Sequence, residues 1–183
     1  MKVNKTAIAG VFVVETTPVS DHRGSFARFF CQKEMSEVIG HREIVQINTS
    51  RTTAVGAVRG MHYQNAPHAE MKMVRCLKGR VLDVAVDLRR DSPTFLKYHA
   101  EELSGSSAKM LIVPEGCAHG FQVLEADSEM LYLHTAFYDK PSEGGVRHDD
   151  PALGIKWPLL VADLSERDKN HQLITPDFKG VTL

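Results

Sequence analysis

The chain has 183 residues and a formal net charge of −1, with 22 basic residues against 23 acidic ones. That length suffices for one domain with a substantial core, and the even charge balance gives no electrostatic case for nucleic acid or an anionic membrane as partner. The longest apolar run, residues 7–14, is far too short to span a bilayer, and the N-terminus lacks the layout of a signal peptide.

The three cysteines, Cys31, Cys76 and Cys117, are odd in number, widely spaced and without a zinc pattern. They fit reduced, buried thiols in a cytoplasmic protein better than a catalytic nucleophile.

Residues 7–17, AIAGVFVVETT, are rich in β-branched side chains and predict a strand. Residues 18–24, PVSDHRG, carry the punctuation of a loop. Residues 32–39, QKEMSEVI closed by Gly40, predict one short helix. Residues 44–50 alternate, which puts Ile44, Gln46 and Asn48 on one strand face. Residues 72–77 and 81–88 predict a hairpin turning at Gly79. In its second arm Leu82, Val84, Val86 and Leu88 face one way and Val81, Asp83, Ala85 and Asp87 the other, so the second face is solvated or holds a cavity or a charge network. Further strands are expected at 95–103, 110–113, 121–125 and 129–136. Beyond Tyr138, Pro141, Gly144, Gly145, Pro151 and Pro158 break the chain into loops, and residues 164–168 predict a helical turn. Many short strands with Gly and Pro turns imply an all-β sandwich or barrel. With no linker in sight, residues 1–183 are expected to form a single domain.

The stretch 56–64, GAVRGMHYQ, sets Arg59 three residues from His62, with Gly56 and Gly60 letting the backbone bend. Arg59 is a permanent planar cation suited to phosphate, and His62 is the side chain best able to move a proton near neutral pH. Other polar residues at alternate strand positions are Gln46, Asn48, Lys72, Asp83, His119 and Tyr132. Buried charge is costly unless paired, so their convergence would signal a polar cavity. Two chemistries suit it. A metal cupin would use His62, Glu70 and His119, with His68 available, although Gln64 stands where a second histidine is expected. A metal-free site would use His62 and Tyr132 for proton transfer, with Lys72 and Arg59 supplying positive charge.

The ordered motifs narrow the choice. Arg23-Gly24-x-Phe26, Gln46-x-Asn48-x-Ser50, Val58-Arg59-Gly60-Met61-His62, Lys72-x-Val74-Arg75, Pro114-Glu115-Gly116-x-Ala118-His119-Gly120-Phe121 and Ser165-Glu166-Arg167-Asp168 run through the chain from about residue 10 to 170. Taken together the chain resembles the dTDP-4-dehydrorhamnose 3,5-epimerase family, enzymes acting on nucleoside-diphosphate-linked 4-keto-6-deoxy sugars. The resemblance implies a double-stranded β-helix (cupin-like jelly roll) with few short helices, a homodimer, and neither metal nor organic cofactor. It implies His62 as base, Tyr132 as acid, Asp168 as the partner of His62, and Lys72 steadying an enolate. Arg23, Gln46, Asn48, Arg59, His119, Tyr138, Glu143 and Arg167 would bind the nucleotide sugar. Asp83, on the polar strand face, is the rival of Asp168 for His62. The chain departs from the family at Arg28, where a glutamate is common, and at Arg167, where a lysine is common; both leave the nucleotide and sugar open.

Overall fold

Strands with one apolar face need a second surface to bury it, and here two antiparallel sheets supply it for each other. The computed structural model describes residues 1–183. The first half of the chain forms β1 (Lys2–Lys5), β2 (Phe12–Glu15), β3 (Val19–Asp21), β4 (Gly24–Phe26), α1 (Gln32–Ile39), β5 (Gln46–Thr52) and β6 (Val58–Gln64). The hairpin-rich middle forms β7 (Lys72–Lys78), β8 (Arg80–Asp87), β9 (Tyr98–Ser104), β10 (Lys109–Val113), β11 (Cys117–Val123) and β12 (Ser128–His134). Beyond it lie β13 (Glu143–Gly145) and α2 (Glu166–Lys169).

One sheet runs β1-β2-β10-β7-β12-β5 and the other β13-β6-β11-β8-β9, while β3 and β4 pair only with each other. Val74, Cys76 and Met130 of the first sheet and Val81, Ala85 and Phe121 of the second share one buried cluster, so the sheets pack face to face as a jelly roll. The outer face of the first sheet is closed by Met35 and Ile39 of α1 against Met73, Met110 and Ile112. The outer face of the second is closed by Val146, Leu153 and Trp157 from the C-terminal loops against Met61, Val84 and Val86. Both sheets are thus apolar on their outer faces too, and the polar positions concentrate on the inner face at one end of the sandwich.

The structure corrects several local expectations. The strand at 7–17 shortens to β2, because residues before it turn through Gly10 at φ +78° and Thr6 bonds back to Val11; β1, unforeseen, pairs with it. The loop at 18–24 is the β3–β4 hairpin. The strand expected from residue 95 begins at Tyr98, since Leu96 adopts φ +59°. Most informative is the hairpin expected across Gly79. β7 and β8 do not pair with each other; β7 lies between β10 and β12, and β8 between β11 and β9. Gly79, at φ +75°, carries the chain from one sheet to the other, and a Cβ there would stand 2.3 Å from Ser128 Oγ. The alternation in both strands is satisfied across the sandwich, where Val74 and Cys76 meet Val81 and Ala85.

Candidate active site

The site grows from the β6–β11 ladder. His62 on β6 faces His119 on β11, and the register slips between His119 and Phe121. Two glycines make this close approach possible. A Cβ on Gly60, at φ +121°, would lie 2.5 Å from Gly120 Cα and 2.7 Å from His119 O. A Cβ on Gly120 would lie 2.6 Å from Met61 Sδ. Opposite, on the first sheet, β12 runs between β5 and β7 with Tyr132 beside Asn48 and Val74, and His134 beside Gln46 and Lys72.

Between these walls lies a cavity of about 530 Å³ lined by Asn48, Arg59, His62, Lys72, His119, Tyr132, Arg167 and Asp168 among others. A smaller cavity of about 100 Å³ shares Asn48, His62 and Lys72 and adds Gln46, Tyr138 and Glu143. Eleven of the twelve expected site residues therefore line one or the other. Arg23 does not; it sits exposed on the β3–β4 hairpin, paired with Asp21 at 2.6 Å.

His62 Nε2 lies 2.7 Å from Asp168 Oδ1, while Gly60 N–H donates to Asp168 Oδ2 at 3.1 Å. Asp168 arrives on α2, whose N-cap Ser165 accepts from the Asp168 amide. Burial pushes this carboxyl up, but the hydrogen bond and charge of His62, with the Gly60 amide, outweigh it and hold Asp168 well below the usual carboxylate range. Arg167 Nη1 is 2.6 Å from Glu143 Oε1, and its Nη2 lies 2.8 and 3.4 Å from the two ring nitrogens of His62. The rival carboxylate, Asp83, takes His119 instead, Nε2 to Oδ1 at 2.7 Å. Across the cavity Tyr132 OH and Ser50 Oγ are 2.8 Å apart. Burial, only partly offset by Ser50, pushes the Tyr132 phenol up to about 12, so it keeps its proton at neutral pH. Tyr138 OH donates to Glu143 Oε2 at 3.3 Å.

The metal-cupin set does not assemble. His62 takes Asp168, His119 takes Asp83, and Glu70 takes Lys72 at 3.0 Å and His134 at 2.7 Å. The ligating side chains that do converge are His62, Asp168 and His171, with ligand atoms within 4.8 Å of one another. The Arg167 guanidinium already lies 3.3 Å from Asp168 and 2.8 Å from His62, so a metal ion there would meet a fixed positive charge.

Two residues escaped the sequence reading, His134 and His171, and a third, Glu70, was read in another role. His134 was legible, since it follows Tyr132 by two on one strand and shares its face. Glu70 stood out only as a metal ligand. His171, which packs beneath Gly145 and edge-on to His62 at 6.0 Å between ring centroids, lies in a stretch without pattern.

The comparisons point one way. A family model described as dTDP-4-dehydrorhamnose 3,5-epimerase matches residues 5–175. A dTDP-4-dehydrorhamnose 3,5-epimerase of Shigella flexneri is 43% identical over 94% of this chain and 95% of its own. The crystal structure of dTDP-4-dehydrorhamnose 3,5-epimerase from Elizabethkingia anophelis superposes with a TM-score of 0.91 at 39% identity, covering 97% of this chain and 98% of that one. A Legionella pneumophila dTDP-6-deoxy-D-glucose-3,5-epimerase in complex with dTDP-4-keto-L-rhamnose gives 0.91 at 36% identity over 100% of this chain and 98% of that one.

Proposed function

The chain belongs to the dTDP-4-dehydrorhamnose 3,5-epimerase family, and from that premise we propose that it epimerises a dTDP-linked 4-keto-6-deoxy sugar at C3, C5 or both through an enolate. The observation that carries this reading is the placement of His62, keyed by Asp168, and Tyr132 on opposing sheets around one cavity. A C4 ketone acidifies the hydrogens on C3 and C5. His62, with Nε2 held by Asp168, takes such a proton from one face on Nδ1, which has Arg167 Nη2 at 3.4 Å. Tyr132 returns a proton from the other face, and the centre inverts. A positioned acid or base contributes about 10²–10⁴-fold in rate. Lys72 faces the oxygen that gains charge, where a preorganised donor contributes about 10²–10³-fold. Arg59 and Arg167 hold the diphosphate, His119, Asn48 and Gln46 the sugar and nucleoside, and Tyr138 with Glu143 the base. Each step is proton transfer between the chain and a carbon acid, so neither metal nor organic cofactor enters.

Arg23 lies outside the cavity of its own chain, on a hairpin that exposes Val19 at 73% and Phe26 at 74%. Apolar side chains displayed this way mark an interface. The protein accordingly acts as a homodimer in which the hairpin, with Arg23, serves the second copy's cavity. Residues 1–183 act as one epimerase domain, and the three free thiols support a reducing, cytoplasmic setting for it. No helix is long and apolar enough to cross a membrane.

Incubation in D₂O with dTDP-4-keto-6-deoxyglucose should introduce deuterium at C3, C5 or both, and which centres exchange identifies the inverted ones. His62→Ala should lose exchange while retaining affinity for dTDP. An unexchanged sugar after prolonged incubation with wild-type protein overturns the reading.

A further inference from the structure

Lys72 carries its charge on a long flexible stem, so its usefulness to a reacting ketone depends on what holds the ammonium in place. The carboxylate that does so is Glu70, whose Oε1 lies 3.0 Å from Lys72 Nζ; both side chains are largely withdrawn from solvent. Glu70 has a second partner, His134 Nδ1, at 2.7 Å from Oε2. His134 Nε2 in turn lies 3.3 Å from Asn48 Nδ2 at the cavity wall. The four side chains arrive from separate elements, yet the ladder sets His134 beside Lys72 on one flank and beside Gln46 on the other.

The donors read in one direction. Asn48 Nδ2–H donates to His134 Nε2, which makes that nitrogen the acceptor of a neutral ring, and Nδ1–H then donates to Glu70. Glu70 is left with its other oxygen for Lys72. Burial pushes its carboxyl up, but the His134 hydrogen bond and the Lys72 charge prevail and hold it below the usual range. It therefore stays ionised as the one counter-charge of the ammonium. The surrounding loop does not depend on Glu70: Gln64 Nε2 donates to His68 O at 2.8 Å, and the Met71 amide to Thr135 Oγ1 at 2.9 Å.

We propose that Glu70 is a positioning residue for Lys72, and that the Asn48–His134 pair orients Glu70 so that the ammonium is presented to the cavity in one place. When negative charge develops on the substrate oxygen, Lys72 shares its remaining donors with it without first having to be ordered. This rests on the reading that Lys72 faces the reacting ketone.

The test uses full-length protein and dTDP-4-keto-6-deoxyglucose, with kcat and KM measured separately. Glu70→Gln keeps the shape and removes the charge; kcat should fall about tenfold, the weight of one charge-assisted hydrogen bond, with KM little changed, as for an interaction made only in the transition state. His134→Ala should reproduce the fall. His134→Asn, whose amide N–H stands where Nδ1–H did, should restore most of it, a rescue that a packing role would not give. Wild-type kcat in Glu70→Gln, a loss confined to KM, or an Asn variant no better than Ala overturns the proposal. The parent reading is tested apart from it, by whether wild-type protein exchanges C3 or C5 hydrogen and Lys72→Ala does not.

Discussion

The β6–β11 ladder carries two histidine–aspartate pairs whose hydrogen bonds have the same length. His62 to Asp168 and His119 to Asp83 both run Nε2 to Oδ1 at 2.7 Å, and the two histidines face each other in register. Their surroundings differ. Asp168 also accepts from the Gly60 amide and sits beside Arg167, and His62 keeps 21% of its side chain open to the cavity. Asp83 is fully enclosed, its Oδ2 has no partner, and burial, only partly offset by His119, pushes its carboxyl up. Hydrogen-bond length therefore does not assign a role. The supply of further donors and access to the cavity distinguish them: on the proposed reading the first pair holds charge and exchanges protons, and the second fixes a wall.

The change with the largest expected effect destroys the setting of both pairs. Gly60→Ala drives a Cβ to 2.5 Å from the Gly120 backbone at a φ of +121°, which only glycine adopts readily. Neither backbone can yield without breaking the ladder, so a loss of about 4 kcal/mol or more is expected. Chemical unfolding measures it; a variant as stable as wild type would show that the ladder is not held as tightly as its geometry implies.

Next come the two carboxylates themselves. Asp168→Asn should lower kcat by about 10²-fold or more, because the imidazolium that forms on His62 loses its counter-charge. Asp83→Asn should act mainly on KM, through His119, and leave kcat within about tenfold of wild type. Equal losses in kcat would erase the distinction between the pairs. Tyr132→Phe sharpens it from the opposite wall. The variant should lose about 10²-fold in epimer formation. The alkaline limb of its pH profile should stay where it was, because the wild-type phenol titrates only near 12.

Much of this was legible in the chain. The period-two patterns of β5, β8 and β12 put Asn48, Asp83 and Tyr132 on inner faces, and Gly56 and Gly60 marked a bend in the backbone beside Arg59; that Gly60 serves a close approach to β11 became visible only in the structure. The β8 pattern left a solvated face, a cavity or a charge network open for Asp83 and Asp87; the structure shows both acids buried and paired, Asp83 with His119 and Asp87 with Arg89 at 2.8 Å. Other features were hidden for physical reasons. A glycine between two alternating strands reads the same whether the strands pair in one sheet or cross to face each other, so Gly79 looked like a hairpin turn. Alternation assigns a side chain to a face but not to a partner. It therefore kept Asp83 as a rival to Asp168, which the family resemblance alone favoured, and the return of α2 to β6 decides between them. The pairing of Glu70 with His134 spans 64 positions and leaves no local signature.

The smallest expected effect is on stability against pH, and there the two aspartates should differ in sign. Asp168 titrates lower in the folded chain than in the unfolded one, where an aspartate sits at about 3.9. Its contribution to stability is then complete above that value and drains away as pH falls through the folded pKa. Asp83 titrates higher when folded, so its contribution is complete below about 3.9 and is lost as pH rises through the folded value. Urea unfolding of wild type, Asp168→Asn and Asp83→Asn, from about pH 3 to about pH 7, separates them. The wild-type advantage over Asp168→Asn should grow as pH rises, and the advantage over Asp83→Asn should shrink. Parallel slopes would mean that His119 charges together with Asp83 and that the enclosed pair is an ion pair like its neighbour.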